Sequence, residues 1–190
     1  MRLTSARIAP LEDREMTVEQ RSVLSPLTER GQLFNIFRTF GRRPAGLAGF
    51  LAWGGYILSP ENQLPARERE IVILRVGVLC RSGYEFAQHE IIGLQSGLTP
   101  EDVARVKVGG EAAGWSPAEA ALIRMADELV GDHFVSDATW TLLRSCYDEE
   151  TCMDAVFTVG QYVQVSMFLN TFGVQPDDGL NIDPDLRRQA

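Results

Sequence analysis

The chain has 190 residues, a formal net charge of −8 and a hydrophobic fraction of 45%. This length and composition are typical of one globular domain with a substantial core. The acidic balance argues against nucleic acid as a general partner, because binding to phosphates needs clustered lysine and arginine.

The cysteines and the apolar runs predict the cellular compartment of the protein. Cys80, Cys146 and Cys152 show neither a C-x-x-C pair nor the spacing of a metal finger. An odd cysteine count in a chain of this size argues against a disulfide scaffold and favours a reducing compartment. The N-terminus has no apolar signal core, and Arg75 interrupts the longest apolar run, which begins at Ile71. We therefore expect a cytoplasmic protein that does not span a membrane.

Helical signals follow one another along almost the whole chain. Caps, first-turn prolines and terminal glycines predict helices over these ranges: 17 to about 30 with Pro26 bending or splitting it, 44–58, from Pro65 onward, 82–97, 99 to about 109, 116–131, from Ser136 onward, and 149–172. Residues 1–16 read as an extended polar arm and residues 176–190 as an irregular tail. No alternation of period two persists, so we predict a single all-α domain over residues 1–190 with about eight helices.

Polar side chains gather in a stretch that begins at Glu70 and otherwise reads as buried helix. Such groups are costly to place against a core without a reason. On a helix that begins near Ser82, the side chains of Ser82, Glu85 and His89 share one face, and Glu85 can hydrogen-bond to His89 four residues later. Cys80 approaches this face only if the helix begins after it.

Each of these side chains also has a purely structural interpretation. Ser82 and Glu85 have the spacing of a capping box, which satisfies free N–H groups at a helix start. His89 fits a hydrogen-bonded core histidine, Glu70 fits an ion pair with an arginine of its own helix, and Cys80 fits a small buried hydrophobic residue. The spacing alone leaves both sets of interpretations open.

The motif S-x-x-E-x-x-x-H from Ser82 to His89, twelve residues after Glu70 and followed by G-L-T at 97–99, resembles the core motif of the carboxymuconolactone decarboxylase superfamily. This superfamily includes the alkylhydroperoxidase D group. The segments PARERE and VFTVGQYVQVSMFLNTFGV also resemble its decarboxylase-like members. The resemblance extends from about residue 34 onward. It implies an all-helical, alkylhydroperoxidase D-like fold that assembles as a homo-oligomer, a trimer or hexamer.

The resemblance also separates this chain from the peroxidase branch of the superfamily. In that branch a glutamate, a C-x-x-C pair and a histidine form a proton relay that feeds a reactive thiolate. Glu70 and His89 match the relay positions, whereas Ser82 and Glu85 replace both cysteines. Without a second thiol in this motif no internal disulfide can resolve the oxidised state, so the dithiol cycle of that branch cannot operate as written. Cys146 or Cys152 could resolve an oxidised Cys80 only if the fold brought them close.

Three functions follow as hypotheses. The first, implied by the decarboxylase-like members, is a cofactor-free acid/base enzyme that acts on a small organic acid or lactone. In it His89 moves the proton, Glu85 holds His89, Glu70 is a second relay carboxylate and Tyr84 donates a hydrogen bond to the substrate. The second is a thiol peroxidase, with peroxiredoxin activity at Cys80 and an external reductant. The third is a non-catalytic oligomer that binds a ligand, or a metal through the two carboxylates and the imidazole.

Overall fold

The structure is a computed structural model that describes residues 1–187. Within that range nine α-helices and two short 3-10 turns form the fold, and no strand is present. The helices are α1 (Val18–Glu29), α2 (Asn35–Phe40), α3 (Pro44–Ile57), α4 (Ala66–Leu79), α5 (Gly83–Gln95), α6 (Pro100–Val108), α7 (Pro117–Asp132), α8 (Asp137–Cys146) and α9 (Glu149–Phe172). The predicted all-α fold class is confirmed. None of the helices in this range combines the length and hydropathy needed to cross a membrane.

Side-chain caps begin four of these helices where the sequence predicts them. The hydroxyls of Thr17, Thr99, Ser116 and Ser136 each accept a hydrogen bond from the backbone N–H three residues later. A cap of this kind stabilises a helix by about 1 kcal/mol. Pro26 lies inside α1 without splitting it.

Left-handed residues end several helices. Gly97, just after α5, has a φ of 95°, and Gly173, just after α9, has a φ of 68°, so both predicted stops are confirmed. The end of α7 differs slightly from the prediction, because this helix continues past Gly131 to Asp132. His133 then takes the left-handed conformation and caps the helix.

Helix α4 lies at the centre of the fold and packs against α5, α6, α7 and α9. Eight consecutive residues of α4, beginning at Glu70, are buried. Ile71 and Leu74 belong to a smaller apolar cluster, whereas Val72 and Val76 belong to the main core. The helix is apolar on nearly all sides because it separates these two clusters.

Several helices keep large apolar side chains exposed. Trp53 of α3 is 42% exposed, and Met167 of α9 is 55% exposed. Met153 of α9 and Ile91 and Leu94 of α5 are also exposed. The apolar circumference of α9 therefore has two parts, one buried against neighbouring helices and one in contact with solvent.

The N-terminal arm packs on α9, and the described part of the C-terminal tail contains one short turn of helix. The amides of Arg7 and Ile8 donate to the carbonyl of Phe172, which holds the arm of residues 1–16 against the end of α9. The tail, predicted to be irregular, contains a 3-10 turn at Pro184–Leu186. The last part of the predicted tail, 188–190, lies outside the described residues.

Candidate functional site

A buried pair of His89 and Glu70 joins α5 to α4. Nδ1 of His89 lies 2.7 Å from Oε2 of Glu70, and the side chains are 10% and 1% exposed. This geometry suits an Nδ1–H that donates to the carboxylate, which leaves Nε2 able to exchange a proton. The ring of Tyr162 from α9 packs edge-on against the imidazole, with 4.8 Å between the centroids.

The arginines of α4 do not take part in this pair. Arg67 contacts Asp102 at 3.0 Å, and Arg75 contacts Asp127 at 2.5 Å. The structural interpretation of Glu70 as the partner of an arginine is therefore wrong. The carboxylate bonds to the histidine of the next helix instead.

Glu85 faces α9 rather than the histidine. Ser166 donates a hydrogen bond to Oε2 of Glu85 at 2.9 Å, and Oε1 has no partner within residues 1–187. Burial raises the pKa of Glu85 well above its usual value, although the bond from Ser166 acts in the opposite direction. The predicted hydrogen bond between Glu85 and His89 is absent, because Glu70 occupies Nδ1 of the imidazole.

Ser82 begins α5 without acting as a side-chain cap. Its hydroxyl is buried and has no hydrogen-bond partner in the described chain. The predicted capping box between Ser82 and Glu85 is therefore wrong, since the glutamate turns toward α9. Arg81, at a φ of 52°, separates α4 from α5, so α5 begins after Cys80 as the approach of this cysteine to the polar face requires.

Cys80 ends α4 and is half-buried. Its carbonyl accepts a hydrogen bond from Nδ2 of Asn170 at 2.9 Å, which fixes it beside α9. Burial and the nearby carboxylate of Glu85 raise the pKa of the Cys80 thiol, while Ser166 and Arg2 act in the opposite direction. The net shift disfavours the reactive thiolate.

The other two cysteines lie far from Cys80. Cys152 is eighteen residues before Asn170 on the same helix, about 27 Å along the axis. Cys146 is three residues before α9, so within about 11 Å of its start and on the order of 20 Å from Asn170. A disulfide needs Cα atoms closer than about 7 Å, so neither cysteine can resolve an oxidised Cys80 in the same chain.

Tyr84 is engaged by the C-terminal tail. Its hydroxyl donates to Oδ2 of Asp177 at 2.5 Å, and Gln88 donates to the same oxygen at 3.2 Å. Burial, followed by the bond to Asp177, raises the pKa of Tyr84. The hydroxyl has no donor left for a substrate, so the predicted role of Tyr84 finds no support in this arrangement.

These side chains do not form a metal-binding site. No group of three His, Cys, Asp or Glu residues in the described chain is placed to hold a metal ion. Glu70 and His89 pair with each other, while Glu85 points to Ser166.

The sequence reasoning missed the contribution of α9 to the site. Tyr162, Ser166 and Asn170 contact His89, Glu85 and the Cys80 carbonyl, respectively. They recur every four residues in an otherwise apolar helix and so share one face. This spacing is the signal that could have identified them.

Two comparisons bear on the family. Residues 44–128 match the model of the carboxymuconolactone decarboxylase family. No curated protein matches the chain.

Solved structures share the fold at low identity. A peroxidase-related protein with an alkylhydroperoxidase AhpD core, from Ralstonia eutropha JMP134, is 21% identical, with a TM-score of 0.80 over 92% of this chain and 94% of that chain. A putative antioxidant defence protein AhpD from Agrobacterium tumefaciens is 16% identical, with a TM-score of 0.68 over 73% of this chain and 94% of that chain. A cysteine-to-alanine variant of the debrominase Bmp8 in complex with 2,3,4-tribromopyrrole is 13% identical, with a TM-score of 0.74 over 96% of this chain and 95% of that chain. Residues 44–128 thus match the carboxymuconolactone decarboxylase family, and the chain shares its fold with alkylhydroperoxidase AhpD-like structures.

Proposed function

We propose that the protein is a carboxymuconolactone decarboxylase-like enzyme that performs cofactor-free acid/base chemistry on a small organic acid or lactone. The observation that carries this proposal is the buried contact of 2.7 Å between His89 Nδ1 and Glu70 Oε2. A carboxylate in this position orients the imidazole, selects its tautomer and stabilises the imidazolium that forms on proton uptake. Glu70 thus takes the role that the sequence assigned to Glu85.

In the decarboxylation form of the reaction, His89 Nε2 handles the proton. The bond from carbon to the leaving carboxylate breaks, carbon dioxide departs, and the electron pair stays on the carbon. The imidazolium then delivers a proton to that carbon, and His89 regains one from the next acid substrate or from water. Glu70 balances the charge of the imidazolium throughout.

Glu85 extends the polar interior on the α9 side. Burial raises the pKa of Tyr162, and the carboxylates of Glu70 and Glu85 raise it further. Glu85 then bonds to Ser166, beside Cys80. In our proposal Glu70, Tyr162, Glu85 and Ser166 together store a proton and position His89. Only the imidazole contacts the substrate.

Activity on a panel of lactone acids tests the proposal. We expect His89→Ala to lower kcat by about 10²–10⁴-fold, the usual contribution of a general acid/base. Glu70→Gln should lower kcat less, because the amide still positions the ring but cannot balance its charge. Glu90→Gln, on the same helix and partly exposed, is the matched control. Unchanged turnover in His89→Ala would remove this mechanism.

Thiol peroxidase activity at Cys80 is the second candidate. It is favoured by the position of Cys80 beside Ser166 and Arg2, which lower the pKa of the thiol. The larger effect of burial and the distance of the other cysteines weigh against it. Trapping of sulfenic acid distinguishes the two functions. If Cys80 stays unmodified at modest peroxide concentration while the thiols of the denatured chain react, peroxidase activity is excluded.

We also propose that the protein is a homo-oligomer, a trimer or hexamer as in the superfamily. Its support is the exposed apolar surface of α3, α5 and α9, which includes Trp53, Ile91 and Met153. Apolar surface of this kind marks interaction sites when it forms a continuous patch.

A further inference from the structure

A groove of about 380 Å³ opens beside Cys80, between the N-terminal arm and the end of α9. Arg2 and Arg7 of the arm and Met167 and Asn170 of α9 contribute to its lining. This volume lies at the lower end of the range for small-molecule sites. Asn170 is eight residues beyond the tyrosine that packs on His89, about 12 Å along α9, so the groove is separate from the His89 pair.

The groove carries positive charge that the described chain leaves uncompensated. Arg2 and Arg7 both line it, and neither is within ion-pair distance of an acid among residues 1–187. The side chain of Arg7 makes one long hydrogen bond, from Nη1 to the carbonyl of Thr171 at 3.4 Å. Two such arginines on a chain with a net charge of −8 have donors available for an anion.

The remaining lining is apolar on both the arm and α9, and it is fixed near Cys80. Leu3 and Met167 supply apolar surface. Asn170 is held by its bond to the Cys80 carbonyl, which fixes the floor of the groove near the thiol. Such a lining matches a molecule with an anionic group at one end and a short hydrocarbon body.

We propose that this groove binds a small organic carboxylate, with its anionic group between Arg2 and Arg7, its hydrocarbon body against Met167, and Cys80 at the inner end. Arginine is suited to this role because its planar donors pair with both carboxylate oxygens. The proposal concerns binding alone. It does not depend on whether a reaction takes place at His89.

Charge-selective alkylation of Cys80 tests the proposal. The rates of modification by iodoacetate, an organic carboxylate, and by neutral iodoacetamide are measured on the folded protein. Trypsin releases Cys80 in the peptide 76–81, so mass spectrometry follows this thiol by itself. The ratio of the two rates cancels the thiolate fraction, since both reagents need the thiolate, and so isolates the effect of reagent charge.

We expect the iodoacetate-to-iodoacetamide ratio to fall about threefold in Arg2→Gln and again in Arg7→Gln, as for a charge roughly 6 Å away in water. Arg14→Gln is the matched control, because Arg14 is an exposed arm residue that already pairs with Glu12, and it should leave the ratio unchanged. The wild-type ratio should also decrease at about 1 M salt, where the screening length is only about 3 Å. Equal ratios in the wild type and the two groove variants would overturn the proposal.

A titration with succinate decides the case in which Cys80 resists both reagents. The NMR signals of the Arg2 and Arg7 side chains and of the Asn170 amide should shift with succinate, and less with inorganic phosphate, which has no hydrocarbon body. Shifts at these positions would support the proposal. Their absence at high millimolar succinate would overturn it, whatever the activity of His89→Ala.

Discussion

Glu85→Gln should remove a pH-dependent loss of stability from the protein. Glu85 is 2% exposed, and only one of its carboxyl oxygens has a hydrogen-bond partner in the described chain. Burial therefore raises the pKa of Glu85 above its ordinary value of 4.5. Below that value both the folded and the unfolded chain carry the neutral acid, and the group adds no pH dependence.

Above that value the unfolded chain releases the proton while the folded chain retains it. The free energy of unfolding then decreases as the pH rises. This decrease ends once the pH exceeds the raised pKa of Glu85 in the folded state. Within this window the decrease is up to about 1.4 kcal/mol per pH unit. Glutamine has the shape of the neutral acid and can accept the bond from Ser166, so the variant should lack this decrease.

Urea denaturation of the wild type and the variant from about pH 5 to about pH 8 measures the effect. The difference between the two free energies of unfolding isolates Glu85, because other titrating groups cancel. The variant should become steadily more stable relative to the wild type as the pH rises. In Glu90→Gln, on the same helix but partly exposed, the difference should change much less. A difference for Glu85→Gln that is constant with pH would refute the inference that burial keeps this carboxyl neutral.

Three further changes test the packing and the assembly. Ser166→Ala should destabilise the fold by about 1–3 kcal/mol in chemical denaturation, because it leaves both buried oxygens of Glu85 without a partner, and a neutral result would contradict the role of this bond. Phe86→Ala should cost about 3–5 kcal/mol by the same measurement, since Phe86 is completely buried, and a loss under about 1 kcal/mol would contradict its placement. Trp53→Glu should reduce the mass found by light scattering after size exclusion, with Val18→Glu at another exposed apolar position as control. A wild-type protein that elutes as a monomer would refute the proposed oligomer.

Much of the helical framework could be predicted because its signals are local. Thr17 and Ser116 lie within three residues of the amides that they cap, and Gly173 ends α9 through its own backbone conformation. Pro26 shows the limit of this reasoning. Its effect on α1 depends on packing as well as on the missing N–H, and the helix continues through it.

The partners of the site residues could not be read from spacing in the same way. His89 and Glu85 share a helix face, yet the imidazole turns to Glu70 on α4 and the carboxyl turns to Ser166, 81 residues away. The i,i+4 rule places Cβ atoms close together but does not orient the ends of the side chains. That orientation comes from the packing of α4, α5 and α9. Tyr84 is a similar case, because its partner Asp177 lies in a tail without a strong pattern.

The burial of α4 has a consequence for the motions of the protein. Its buried residues contact four other helices, so their amides cannot reach water through a small local opening. Hydrogen exchange at Ile71–Val76 should then require unfolding of the entire chain and report its full free energy. Glu70 stands at the beginning of this protected segment. We therefore expect the carboxylate that bonds to His89 to lie on a backbone segment of low mobility, so that the pair keeps its geometry while the chain stays folded.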